Sequence, residues 1–266
     1  MTNHDKIPVW DVEISVFGPV KAEPFQLNTR KELEHPDPFY SNVRVYDSEN
    51  GFIAVVSAFA PTAELAESAA VLWFGRMLDF LSLRINLPLQ LDLTNNIIVR
   101  KDNYKVKRRI DVEDFRFAFR ESRIFSIEEN TYLRALSWFR KAKYSQDPFD
   151  KFLALWNSIE TVASKYNPNK DACKEKGSIC HIWECFKNIW GECKDWEFIG
   201  GKDKWIDEGN EIRKNIAHGI IPIEIGSIEI IMKKLPVLEL VAHKFLQDYF
   251  KVVRPKITPG LINKLR

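Results

Sequence analysis

At 266 residues, 45% hydrophobic and 12% aromatic, the chain holds ample material for a dry core, which excludes wholesale disorder. Its 39 Lys and Arg against 37 Asp and Glu leave a net charge of +2, so any site for a polyanion must be local. The opening "MTNHDKIPVWDVEIS" has no uninterrupted apolar core, and "SAAVLWFGRMLDFLSL" is broken by Arg76 and Asp79; a soluble, cytoplasmic protein without membrane association is expected, its four cysteines reduced.

Residues 9–17, "VWDVEISVF", alternate as a half-buried strand does, and "NVRVYDS" (42–48) repeats the pattern. Asn50-Gly51 supplies a hairpin turn into "FIAVVSAFA" (52–60). After Pro61 the spacing becomes helical. Ala66, Ala69, Ala70, Trp73, Met77, Phe80 and Leu81 form one stripe, Thr62 or Glu64 starts the helix, and Asn86-Leu87-Pro88 stops it. "IIVRKDNYKVKRRI" (97–110) returns to period two. Its basic residues read as the wet face of an edge strand, or alternatively as an RNA-contacting edge through Lys105, Lys107, Arg108 and Arg109. Residues 1–115 therefore form a small α+β domain, strands plus one long helix.

Beyond residue 116 helical signals take over, and 116–266 reads as an all-α bundle of about five helices. Ser126, three residues before Glu129, resembles a capping box for a helix over 126–144 whose stripe is Tyr132, Leu133, Leu136 and Phe139. Asp147-Pro148 opens the next, with Phe152, Leu155, Trp156, Ile159 and Val162 apolar. Further helices are predicted at 178–191, 204–218 and 227–250. Trp138, Trp156, Trp183 and Trp190 fall on apolar helical faces, as core or dimer interface. The gaps of six, four and seven residues between Cys173, Cys180, Cys185 and Cys193 suit no standard zinc site; structural thiols are expected, with no metal or other cofactor. No phosphate-cradling, dinucleotide, zinc-protease or nucleophile-elbow motif is present.

The stretch "GNEIRKNIAHGIIP" (209–222) is either only the polar end of a helix or a place where Arg213 and His218 are held for chemistry. Gly219 and Pro222 place His218 at the last turn of a helix, where unpaired carbonyls favour a charged imidazole. Arg213 lies five residues earlier, and the two side chains diverge by roughly 140° on a regular helix. Arginine can stabilise the extra charge of a pentavalent phosphate while histidine moves a 2′-hydroxyl proton, with no metal required. On spacing alone, though, a helix-end histidine is ordinarily a cap and a helix arginine an ion-pair partner, and so short a pattern recurs by accident. Glu160, in a strongly apolar helix, is either Arg213's partner or a solvated position between stripes.

"EIRKNIAHG" in an all-helical setting resembles the R-x4-6-H signature of the HEPN superfamily. "FDKFLALWNSIETVASKYN" resembles the preceding helix of its Apea-like branch, with Glu160 near the centre. The likeness covers roughly residues 120–250. The amino-terminal region resembles the segment before this domain in related bacterial proteins, one group of which is annotated with methylamine utilisation.

The resemblance implies a metal-independent endoribonuclease that cleaves RNA by 2′-OH transesterification at a site shared by two subunits. Arg213 and His218 would be catalytic, with Glu160, Lys214 and Asn215 in support. It further implies a homodimer or higher oligomer in an antiviral defence or toxin setting, with a regulatory protein partner for the first domain. Lys214 departs from the small polar residue usual after the motif arginine. The alternative is a noncatalytic scaffold of the same fold that binds RNA, nucleotide or protein.

Overall fold

The computed structural model describes residues 7–28, 39–92, 105–174, 177–222 and 224–257. They fall into two compact units divided between Ser122 and Arg123.

In the first unit the strands are β1 (Val9–Phe17), β2 (Val20–Ala22), β3 (Phe25–Asn28), β4 (Phe39–Ser48) and β5 (Gly51–Phe59). Helix α1 (Ala63–Ile85) follows, then β6 (Gln90–Asp92), β7 (Arg108–Ile110) and α2 (Val112–Glu128). An antiparallel sheet runs β3-β4-β5-β1-β6, while β2 and β7 pair in parallel. Alternate residues Ile14, Val16, Val43, Val45, Phe52, Ala54 and Val56 are buried beneath α1, as period-two patterning requires. On α1, Ala66, Ala70, Trp73, Met77, Phe80 and Leu81 are buried; Ala69 is only half-buried. Thr62 caps this helix by accepting from the Leu65 N–H. The β4–β5 turn is made by Glu49 and Asn50, and Gly51 already pairs with Ser48. Gly51 has φ +148°, and a Cβ there would lie 1.9 Å from the Val16 carbonyl oxygen, so the glycine admits β1. Of the strand expected over 97–110, 97–104 lie outside the described residues and β7 begins at Arg108.

Helix α2 carries the division between units, seven residues beyond the 115/116 boundary read from the sequence. Phe115 packs on Phe25 and Phe52, and Phe119 stacks on Trp73, whereas Phe125 packs on Tyr132 and Phe250. Ser126 corrects the expected capping box. It lies inside α2, donating to the Arg123 carbonyl, because the Phe119–Phe125 apolar spacing carries the helix through it. Glu129 instead accepts from the Tyr166 hydroxyl.

The second unit is helical: α3 (Asn130–Tyr144), α4 (Pro148–Tyr166), α5 (Gly177–Trp190), α6 (Trp205–Ala217) and α7 (Ile225–Val253). Asp147 caps α4 by accepting from the Asp150 N–H at 2.9 Å, and Pro148 occupies its first turn. Phe152, Leu155, Trp156, Ile159 and Val162 are all buried, and α4 touches each of α3, α5, α6 and α7. Burying those five side chains contributes on the order of 10 kcal/mol before chain entropy is subtracted. The Tyr132 hydroxyl donates to the Leu246 carbonyl at 2.6 Å and ties α3 to α7.

The cysteines need a correction. Cys173 and Cys180 form a disulfide rather than two thiols, because α5 folds back over the α4–α5 connection and brings their Cα atoms to 5.5 Å. Cys185 is free and buried, and Cys193 is free. None of the described helices is long and apolar enough to cross a membrane.

Candidate functional site

Helix α6 carries Asp207 and Glu208 in its first turn, where acidic side chains suit the helix dipole. Gly209 and Asn210 face inward and are buried. A Cβ on Gly209 would lie 2.3 Å from ring atom Cζ3 of Trp156, so the glycine sets how closely α6 approaches α4. One turn further, Arg213 Nη2 lies 3.2 Å from Glu160 Oε2. Both contacts advance by four residues on each helix, from Trp156 to Glu160 and from Gly209 to Arg213. Helices α4 and α6 therefore run in the same direction along this seam.

The ion pair is half-enclosed, with Arg213 and Glu160 side chains 30% and 19% exposed. That geometry realises the expected partnership and removes the reading of Glu160 as a fully solvated position. The guanidinium is oriented by a carboxylate from another helix, so it is held ready rather than free to sweep the surface.

At the other end of the motif the backbone turns sharply. Gly219 has φ +66°; its N–H donates to the Ile216 carbonyl at 3.1 Å, and the Ile220 N–H donates to the Asn215 carbonyl at 2.8 Å. These two bonds are the Schellman pattern of a glycine-terminated helix. His218 is the capping residue, its N–H 2.9 Å from the Lys214 carbonyl and its side chain exposed. Lys214 is exposed as well, and Asn215 is half-buried with its carbonyl shared by Ile220 and Ile221. Within one chain, Arg213 turns towards α4 while His218 faces water; no hydrogen bond joins them among the described residues.

The basic run in the first unit fares differently. Lys107 Nζ donates to the Glu49 carbonyl, and Arg108 Nη1 donates to the Ile85 carbonyl at 3.1 Å. Both are thereby committed to capping the β4–β5 turn and the end of α1. Lys105 and Arg109 remain exposed. Among the described residues β7 pairs only with β2, as an edge strand.

Of the other side chains in the helical unit, Cys193 is a free, half-buried thiol, while Cys185 and the tryptophans are enclosed or engaged. Burial pushes the Cys185 thiol up to about 11, and its S–H donates to the Ala163 carbonyl at 3.6 Å, so it is no nucleophile at neutral pH. Trp190 Nε1 donates to Asp248 Oδ2 at 3.0 Å, and Trp183 packs on Trp196 with ring centres 5.0 Å apart. Trp156 is fully buried, and Trp138 lies half-buried beside Lys141. None of the four forms an open stacking platform.

Gly209 is the residue that sequence reasoning missed. Its signal was a glycine inside an amphipathic helix, where it costs about 1 kcal/mol relative to alanine unless packing requires it. Comparison with protein-family models, with curated proteins and with solved structures finds no match to this chain.

Proposed function

We propose that the chain is a metal-independent endoribonuclease of HEPN type, acting in the cytoplasm as a homodimer whose subunits share one RNA site. The observation that carries this reading is the arrangement at α6: Arg213 braced by Glu160, and His218 presented to solvent one turn beyond. In this scheme His218 takes the 2′-hydroxyl proton as the 2′-oxygen attacks phosphorus, and Arg213 stabilises the charge on the pentavalent phosphate. The P–O5′ bond breaks with the 5′-oxygen taking a proton from water, leaving a 2′,3′-cyclic phosphate and a 5′-hydroxyl. Lys214, exposed beside them, contacts a neighbouring phosphate. The divergence of Arg213 and His218 within one helix is the reason a second copy is invoked. The first unit would then sense, bind a regulatory partner or restrain cleavage, in a defence or toxin role.

A second reading, a noncatalytic module that binds RNA, nucleotide or protein, is favoured by one feature. The Arg213 charge is already matched by Glu160, and lysine follows it where the signature carries a small polar residue. One experiment separates the two. Purified protein is incubated with RNA in EDTA, beside an Arg213→Ala/His218→Ala variant. Cleavage by the first and none by the second is the expected result. Binding without cleavage by the unaltered protein, under every activating condition tried, selects the scaffold.

A further inference from the structure

Asn210 is 3% exposed, on a helix that packs against α4 and α5, yet its side-chain amide makes no hydrogen bond among the described residues. Asn167, the other buried asparagine of this unit, is bonded through both amide atoms. Its Oδ1 accepts from the Asn169 N–H at 2.8 Å, and its Nδ2 lies 2.8 Å from His181 Nδ1. A buried amide left unbonded costs stability that an apolar side chain of the same size would not, so Asn210 is better explained by a ligand than by the fold. Its amide also keeps a narrow edge in water, unlike the sealed indole N–H of Trp156.

The neighbours of Asn210 on the helix name the ligand. Arg213 and Lys214 follow at three and four residues, on the adjacent turn, where Cβ atoms stand about 5–6 Å apart. At about 100° per residue they lie to either side of Asn210, about 60° and 40° away. Helical side chains lean towards the amino terminus, so both long cations lean back over its turn. Glu160 matches one of the two charges, and the Lys214 side chain has no partner among the described residues, which leaves one positive charge in excess beside an unused donor. Asp207, an exposed acid one turn before Asn210, is about 9 Å along the axis from Arg213 and does not cancel it. That is a donor set for phosphate oxygens.

We propose that Asn210 is a further substrate-binding residue, its Nδ2–H donating to a non-bridging oxygen of the RNA phosphate whose charge Arg213 stabilises. The inference rests on the RNA reading above and deepens it, adding a fixed neutral donor to the two cations. An amide already enclosed by the fold has little reorganising to do when extra negative charge forms on the phosphate, which is where such a donor acts most strongly.

The test uses the full-length protein with Asn210→Leu and Asn210→Asp variants, the second keeping the shape of the amide should leucine not fit. The readouts are melting temperature, single-turnover cleavage at saturating RNA, and affinity for the same RNA with its 2′-hydroxyls methylated, which cannot be cut. Both variants should melt at or above the parent's temperature, since no internal bond is lost. Cleavage should fall about a hundredfold, the scale of one lost oxyanion donor. Affinity for the methylated RNA should fall a few-fold in Asn210→Leu, with the slope of log affinity against log salt unchanged because no charge is removed. Cleavage and affinity equal to the parent's in Asn210→Leu, or a melting temperature several degrees lower in both variants, overturns the proposal. Failure of the nuclease reading alone shows itself as a parent that binds RNA without cutting it, with binding weakened in Asn210→Leu; that result upholds the phosphate contact. A parent that neither cuts nor binds RNA overturns both.

Discussion

Gly209 lies so close to Trp156 that a methyl group in its place would come within 2.3 Å of ring atom Cζ3 and 2.7 Å of Cη2. Trp156 is fully buried and cannot swing clear, so Gly209→Ala must push α6 away from α4. The expected loss is about 1–3 kcal/mol in urea unfolding. Trimming the obstructing ring in a Gly209→Ala/Trp156→Leu double variant should make the glycine substitution nearly harmless in a double-mutant cycle. An additive cycle would show that the two residues do not meet.

The Glu160–Arg213 pair sits one turn further along the same seam. Because both side chains keep some contact with water, Glu160→Gln should cost only about 1 kcal/mol, a fall in melting temperature of about 2–4 °C. Its effect on RNA cleavage should be larger, at least tenfold, since an unbraced guanidinium loses its orientation. Equal activity of the Gln variant and the parent would remove Glu160 from the site.

Much of this seam was legible in the residues. The α4 stripe, the helix over 204–218 and the glycine stop after His218 all follow from local spacing and chain entropy, which act within a turn or two. Pairing Glu160 with Arg213 was one of two readings the residues left open, and the 3.2 Å contact selects it. What escaped was non-local. Nothing near Gly209 announces Trp156, 53 positions earlier, and nothing in the cysteine spacing announces that α5 doubles back to bring Cys180 onto Cys173. Ser126 misled for the opposite reason: its capping pattern was present, but the apolar spacing of α2 kept the helix going.

The Cys173–Cys180 bridge closes a loop with a sequence separation of only seven, so its contribution to stability is modest, about 2–3 kcal/mol. Thermal unfolding with and without dithiothreitol should differ by a few degrees, and Cys173→Ser should abolish the difference. Mass spectrometry after alkylation under native, non-reducing denatured and reduced conditions checks the pairing directly. Four alkylated cysteines in the unreduced, denatured protein would contradict it.

Acid should loosen the helical unit. Burial pushes the Glu239 carboxyl up, but hydrogen bonds from Lys143 and Lys151 outweigh it and hold the carboxyl below its ordinary 4.5. Asp248 behaves alike: burial raises it, and bonds from Lys251, Trp190 and Lys244 bring it below its ordinary 3.8. A depressed carboxylate binds fewer protons folded than unfolded, so its stabilisation is complete above the unfolded value and is lost as pH falls through the folded one. Melting temperature should therefore be level on this account above about pH 5 and decline below it. Glu239→Gln should lower the plateau and flatten the decline. A decline of unchanged steepness in that variant would assign the acid sensitivity elsewhere.

Lys214 and His218 together separate holding RNA from cutting it. Lys214 is exposed, its side chain has no hydrogen-bond or ion-pair partner among the described residues, and it follows the arginine directly in sequence. If it meets a flanking phosphate, Lys214→Ala should weaken RNA binding on every sequence and reduce the slope of log affinity against log salt by about one. The cleavage step at saturating RNA should stay within a few-fold of the parent. His218→Asn should do the reverse, leaving the salt slope in place and lowering cleavage by about a hundredfold or more. Both variants alter exposed side chains, so their melting temperatures should match the parent and the contrast should be free of folding effects. A His218→Asn protein that cuts as fast as the parent would leave Lys214 and Arg213 as grips on RNA and end the case for chemistry at this helix.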